Sequence, residues 1–178
     1  MDEARRKKLL VIARSTLESF LKDGKKPALK ENDPELLSES GVFVTLTKNG
    51  ELRGCIGLIK GIKPLYLAVQ EMVVAAATGD PRFPSVRHDE LKNIEIEISV
   101  ISPFAQVNDA SEIEVGRDGL YIMKDGCSGL LLPQVPGEYG WDRETFLKNL
   151  CRKAGLPDSA WREPDAKLFS FTADVFHE

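Results

Sequence analysis

Val42-Phe43-Val44-Thr45-Leu46-Thr47, Lys48-Asn49-Gly50-Glu51 and Leu52-Arg53-Gly54-Cys55-Ile56 follow one another without interruption. A β-branched run and a second short apolar run flank an Asn-Gly pair. That is the strongest short-range signal for a β-hairpin, because both turn residues tolerate the positive φ of a type I′ turn. A two-residue loop pairs Lys48 with Glu51. The register then predicts Leu46 opposite Arg53, Val44 opposite Cys55 and Val42 opposite Gly57. Arg53 and Cys55 share one face in that register, roughly 6.6 Å apart along the strand.

Working outward, Leu9, Leu10, Ala13, Leu17, Phe20 and Leu21 recur at helical spacing between Glu3 and Lys22, with Gly24 as the stop. Residues 25–40 read as a connection with a helical turn at Pro34 to Leu37. After the hairpin, Pro64 opens a helix at its first position that runs to Thr78, with Ile62 stapling its entrance and Gly79 ending it. Asp80-Pro81-Arg82-Phe83-Pro84 is irregular because two prolines restrict their neighbours, and a short helix follows at His88 to Leu91. Glu95 to Val100 alternates as a half-buried strand. A second hairpin turns at Asp125-Gly126 between Leu120 to Lys124 and Cys127 to Leu132. Asp142 caps a helix carrying Phe146, Leu147, Leu150 and Ala154, and Leu168 to Phe176 reads as one final strand. Hairpins with intervening helices predict an α+β fold, with largely antiparallel sheets, flanking helices and two closely packed subdomains.

The 178 residues are long enough to bury a sizeable core, and 42% hydrophobic with 29% charged content is ordinary for a globular protein. No apolar run approaches the roughly 20 residues that span a bilayer, and the start lacks the apolar region of a secretory signal, so a cytoplasmic location is expected. Cys55, Cys127 and Cys151 are widely spaced and without Cys-x-x-Cys pairing, which predicts free thiols and neither a metal centre nor a bound cofactor. The formal net charge of −4 argues against a broad phosphate-binding surface. Arg5-Arg6-Lys7-Lys8 and the lysines between Lys22 and Lys26 are short basic clusters that fit a solvated helix face better than nucleic-acid binding.

Candidate chemistry gathers at Leu52 to Gly57. A guanidinium at Arg53 suits a carboxylate or phosphate through its planar fork, and its alternative is an internal ion pair with Asp80 or Glu97. Cys55 is either a thiol beside that guanidinium or a small hydrophobe among Val42, Val44 and Leu46. Gly54 and Gly57 leave room for a ligand against the backbone. Asp80 and Arg82 form a charged wall or a pair that braces the loop. Gln134, after Pro133, presents an amide at a strand end. Tyr139 and Trp141 stack on a flat ligand or simply pack. A nucleophilic role for Cys55 needs a base, and neither His88 nor His177 stands in a favourable context. An accessible Arg53 predicts that Arg53→Ala costs less than about 2 kcal/mol.

With Leu52-Arg53-Gly54-Cys55-Ile56-Gly57 as its most specific signature, the chain resembles the AMME chromosomal region candidate gene 1 protein family over nearly its whole length. Gly41 to Leu46, Asp80-Pro81-Arg82-Phe83, Gly129 to Val135 and Cys151 to Leu156 support the match. The resemblance implies a single family domain over residues 1–178, with a larger subdomain holding both termini and a smaller one inserted. It departs from the family at Ala77-Thr78-Gly79, where a bulkier stretch is usual, and Cys127 looks particular to this chain. No established reaction follows. Association of prokaryotic relatives with Memo-like and radical S-adenosylmethionine proteins implies those partners, and the chain lacks the three-cysteine motif of an iron–sulfur centre, so any radical chemistry belongs to a partner. The function expected is that of an accessory or small-molecule-handling protein with a site at the hexapeptide. The alternatives are an enzyme using Cys55 and a nucleic-acid-binding protein.

Overall fold

The computed structural model describes residues 1–178. Along the chain run α1 (Glu3–Asp23), α2 (Pro34–Leu37), β1 (Gly41–Lys48), β2 (Glu51–Leu58), α3 (Leu65–Thr78), β3 (Ile94–Ile101), β4 (Ala105–Gln106), β5 (Gly119–Lys124), β6 (Cys127–Leu131), α4 (Val135–Tyr139), α5 (Arg143–Lys153), β7 (Lys167–Phe171) and β8 (Ala173–His177). They form two compact units, one of Met1–Ile101 with Asp174–Glu178 and one of Ser102–Ala173. The fold class is α+β, with one four-stranded sheet in the order β2-β1-β3-β8 and another in the order β4-β7-β5-β6.

In the first unit, Asp2 caps α1 by accepting the Arg5 amide at 2.9 Å, and Gly24 ends it in the left-handed region with φ 74°. Alternation along β1 and β3 sends Val42, Val44, Leu46, Ile96 and Ile98 to one face, where they are fully buried with Leu9, Ala13 and Leu17 of α1 and Ala68, Val69 and Val73 of α3. The small residues of α3 let it lie close to the sheet. Pro64 is the cap of α3 rather than its first residue, Gly79 ends it without a left-handed turn (φ −117°), and Ile62 is 64% exposed and staples nothing.

The second unit has its core where Leu120, Ile122 and Leu168 meet Phe146, Leu147 and Leu150 of α5, whose cap Asp142 accepts the Thr145 amide at 2.8 Å. The Asp125-Gly126 turn is present, with φ 50° and 78°. The single strand expected from Leu168 to Phe176 is two strands in different sheets. Thr172 exchanges hydrogen bonds with Ser102 at 2.9 Å in both directions, which bends the chain between β7 and β8 where the apolar alternation alone shows no break. The short α4 and β4 had no periodic signal to announce them.

No helix is long and apolar enough to cross a membrane. The basic residues of α1 are largely paired: Arg5 with Asp2, Asp33 and Glu35, Arg6 with Asp174, and Lys8 with Glu31.

Candidate functional site

The Asn49-Gly50 turn forms as the sequence predicts, with φ 54° and 81° and Lys48 opposite Glu51. The register does not hold beyond it. Thr47 pairs with Leu52, but Leu46 pairs with Gly54, Thr45 with Cys55, Val44 with Ile56 and Phe43 with Gly57, so Arg53 is an extra residue in a β-bulge. One extra residue exchanges the faces of everything after it. Gly54 and Ile56 therefore turn to the core face with Leu46 and Val44, whereas Cys55 and Gly57 lie on the opposite face with Thr45 and Phe43. This corrects two expectations. Arg53 and Cys55 do not share a face, and Cys55 is not enclosed by Val42, Val44 and Leu46.

The hexapeptide glycines make room for the protein itself. A Cβ on Gly54 would stand 2.1 Å from the backbone oxygen of Ala76 in α3, and one on Gly57 would meet the Phe43 ring at 2.3 Å. Close approach of backbone and ring, not of a ligand, requires these glycines.

Arg53 is engaged in the same way. Its Nε and Nη2 donate to the two Glu90 carboxylate oxygens at 3.2 and 3.0 Å, and its Nη1 and Nη2 donate to the carbonyls of Pro84 at 2.7 Å and Ser85 at 3.3 Å. Glu90, from the 3-10 helix His88–Asn93, also accepts Lys48 Nζ at 2.8 Å and the Arg87 amide at 3.0 Å. These donors, Arg53 first, hold the Glu90 carboxyl at about 2. Arg53 is thus internally paired, though with neither Asp80 nor Glu97. Its partner lies 37 residues away in a segment with no pattern that singles it out.

Asp80 joins the loop to the hexapeptide from the other side. Its Oδ2 accepts the Cys55 amide at 2.9 Å, a donor that points off the open edge of the sheet because β2 is an outer strand. The same carboxylate receives the Arg82 amide at 3.1 Å, Arg82 Nε at 2.9 Å and Arg82 Nη2 at 2.7 Å. Hydrogen bonding from Arg82 keeps this nearly buried carboxyl far below the ordinary carboxylate range. Arg82 itself is 52% exposed, with its guanidinium carbon 5.4 Å from the centre of the Phe83 ring. Arg53 and Cys55 therefore grip residues 80–85 at both ends, and Arg82 is displayed between them.

The Cys55 sulfur is half-buried and accepts the Thr45 hydroxyl at 3.3 Å. Burial raises the thiol pKa, outweighing the opposing effects of the Thr45 hydrogen bond and the Arg82 charge. No imidazole is placed to activate it. His88 lines a cavity with Ser15, Glu18, Ser19, Lys22 and Asp23 of α1, and His177 lies on β8, three strand spacings or roughly 14 Å from β2. Gln134 is in the second unit, at the start of α4. Tyr139 and Trp141 in that unit stack on each other, with ring centres 5.0 Å apart. Thr45, Lys48 and Glu90 join the site without having been foreseen. None of the three had a local signal, since Thr45 comes opposite Cys55 only through the bulge and Glu90 is distant in sequence.

Two antiparallel-sheet units and a hexapeptide that holds an Asp-Pro-Arg-Phe loop define the class of protein. The AMMECR1 family model matches residues 10–176, and the chain belongs to that family. It is 45% identical over 184 residues to a protein of Methanothermobacter thermautotrophicus, covering 99% of this chain and 95% of that one. It is 46% identical over 179 residues to protein MK0488 of Methanopyrus kandleri, covering 96% and 86%. The crystal structure of the uncharacterized protein PH0010 from Pyrococcus horikoshii is similar over 100% of this chain and 93% of that one, with TM-score 0.96 and 42% identity.

Proposed function

We propose that this chain is a cytosolic accessory protein that binds a small anionic ligand at the hexapeptide edge and acts with Memo-like and radical S-adenosylmethionine proteins. The partners come from the family resemblance alone. The ligand reading rests on one observation: Arg82 directs two donor groups to Asp80 and leaves the rest of its half-exposed guanidinium beside the Cys55 thiol. A cation, the Thr45 hydroxyl and a neutral thiol make a binding constellation. They do not favour a nucleophile, because burial raises the thiol pKa, the nearby Asp80 and Glu97 carboxylates raise it further, and no imidazole adjoins it. The anion anchor is accordingly Arg82, not Arg53.

Inorganic phosphate titrated into isotope-labelled protein tests this by NMR. Saturable shifts at the Cys55 amide and the Arg82 Nε–H, lost in Arg82→Gln, are expected. Shifts that persist in Arg82→Gln overturn the assignment. Mass-spectrometric mapping of iodoacetamide labelling tests the alternative enzyme: Cys55 should react more slowly than exposed Cys127 at neutral pH. Faster labelling of Cys55, with an apparent pKa below the ordinary thiol value, would instead favour catalysis.

A further inference from the structure

Behind the Arg82 loop lies a cavity of about 340 Å³, walled by Arg53, Phe83, Pro84, Ser85, Arg87 and Glu90. The bulge creates it. By placing Arg53 out of register, it sends the guanidinium to Glu90 and to the Pro84 and Ser85 carbonyls, which fixes one wall and holds Phe83 and Pro84 across from it. Arg87 also lines it, with Nε and Nη2 donating to Asp89 at 3.1 and 2.9 Å and a side chain that is 74% exposed.

The charges around this cavity do not cancel. Lys48, Arg53 and Arg87 bring three positive charges, and Glu90 and Asp89 bring two negative ones, leaving one in excess on a chain whose formal net charge is −4. Glu90, held at about 2, stays ionised at neutral pH and is already saturated by Arg53, Lys48 and the Arg87 amide. A ligand carboxylate or phosphate has donors to meet nonetheless. Arg87 keeps its whole Nη1 group, and Arg53 keeps one N–H of Nη1 beyond the bond to Pro84. The Phe83 ring and Pro84 offer a flat apolar wall beside those donors, suited to a planar body attached to the anionic group.

We infer that this cavity is a second ligand site, taking a small molecule with one carboxylate or phosphate group on a flat apolar body, with Arg87 as its principal anchor and Phe83 and Pro84 as its platform. Its walls include neither Cys55 nor Arg82, and Arg82 adjoins it only through the Phe83 ring, 5.4 Å from its guanidinium carbon.

The test uses the full chain with benzoate and phenyl phosphate as probes, and acetate and inorganic phosphate as their counterparts without the ring. NMR follows the Nε–H signals of Arg53 and Arg87 and the Phe83 ring protons. Benzoate and phenyl phosphate should each bind saturably and more tightly than their ringless counterparts. The tighter of the two identifies the anionic group. Arg87→Gln, a change at an exposed side chain, should weaken binding roughly tenfold or more, as expected for a lost charge-assisted hydrogen bond. The affinity for each aromatic probe read at the Arg87 Nε–H should differ from that read at the Cys55 amide, which separates this site from the Cys55 face. Non-saturating shifts with both aromatic probes, equal binding of the ringless ones, or undiminished affinity in Arg87→Gln would each overturn the inference.

Discussion

Arg53 shows how one residue can carry the right chemistry for an unexpected purpose. Its fork does meet a carboxylate, but that carboxylate is Glu90 of the same chain, and the guanidinium side chain is only 13% exposed. Removing it leaves Glu90 with Lys48 and one backbone amide, and frees the Pro84 and Ser85 carbonyls. The expectation of a loss below about 2 kcal/mol assumed an accessible arginine. With a nearly buried pair, Arg53→Ala should cost about 2–4 kcal/mol, somewhat less than the full cost of orphaning a buried charge because Lys48 remains. Arg53→Lys should recover only part of this, since an ammonium cannot reach a carboxylate and two carbonyls with a planar fork. Urea denaturation of both variants measures it, and an Arg53→Ala loss under 1 kcal/mol would return the residue to a surface role.

At the scale of elements, the hairpin was legible down to its turn but not in its register. Asn49-Gly50 announces the turn through local backbone preference, which neighbours in sequence decide. The bulge is decided elsewhere: α3 comes close enough to β2 that only a glycine fits against Ala76, and Glu90 draws Arg53 out of the ladder. Neither influence leaves a trace in the alternation of Leu52 to Gly57, so the face of Cys55 was read wrongly although the strand was read correctly. Helices α1 and α5 fared better, because they begin on the side-chain caps Asp2 and Asp142, which lie next to them in sequence. The break at Thr172 was lost for the same reason as the bulge, since Ser102 is 70 residues away. These packings predict an order of sensitivity. Gly54→Ala pushes a Cβ into the backbone of α3, which cannot move without separating helix from sheet, and should cost about 2–4 kcal/mol. Gly57→Ala meets the Phe43 ring at 2.3 Å and the Val42 backbone oxygen at 2.6 Å, a looser backbone contact than the 2.1 Å one at Gly54, and should cost less. Thermal denaturation of the two variants compares them directly, and an inverted order would show that the Gly54 contact is not the one that sets β2 against α3.

For the whole molecule, the response to acid follows from where its carboxylates are held. Glu90 sits at about 2 in the folded protein, against an ordinary 4.5, and Asp80 is also displaced downward from its ordinary 3.8. A carboxyl with a depressed folded pKa binds its proton more readily when unfolded, so its contribution to stability is complete above the unfolded value and disappears as pH falls through the folded one. Stability should therefore be flat from neutral pH to about 5, drop between about 4.5 and 2, and lose the Glu90 contribution below that. Both Glu90 and Asp80 lie in the first unit, tied to the hexapeptide strand through Arg53 and the Cys55 amide. Glu90→Gln deletes the titrating group and leaves Arg53 and Lys48 without their counter-charge. The variant should be less stable than the natural chain at pH 7, with the gap closing steadily as pH falls from about 4.5 to 2, where the natural Glu90 is itself becoming neutral. Urea denaturation followed by far-ultraviolet circular dichroism at several pH values provides the two curves. Parallel curves across that interval would mean that the Glu90 cluster does not govern acid stability, and that its cations are as well satisfied by water as by the carboxylate they surround.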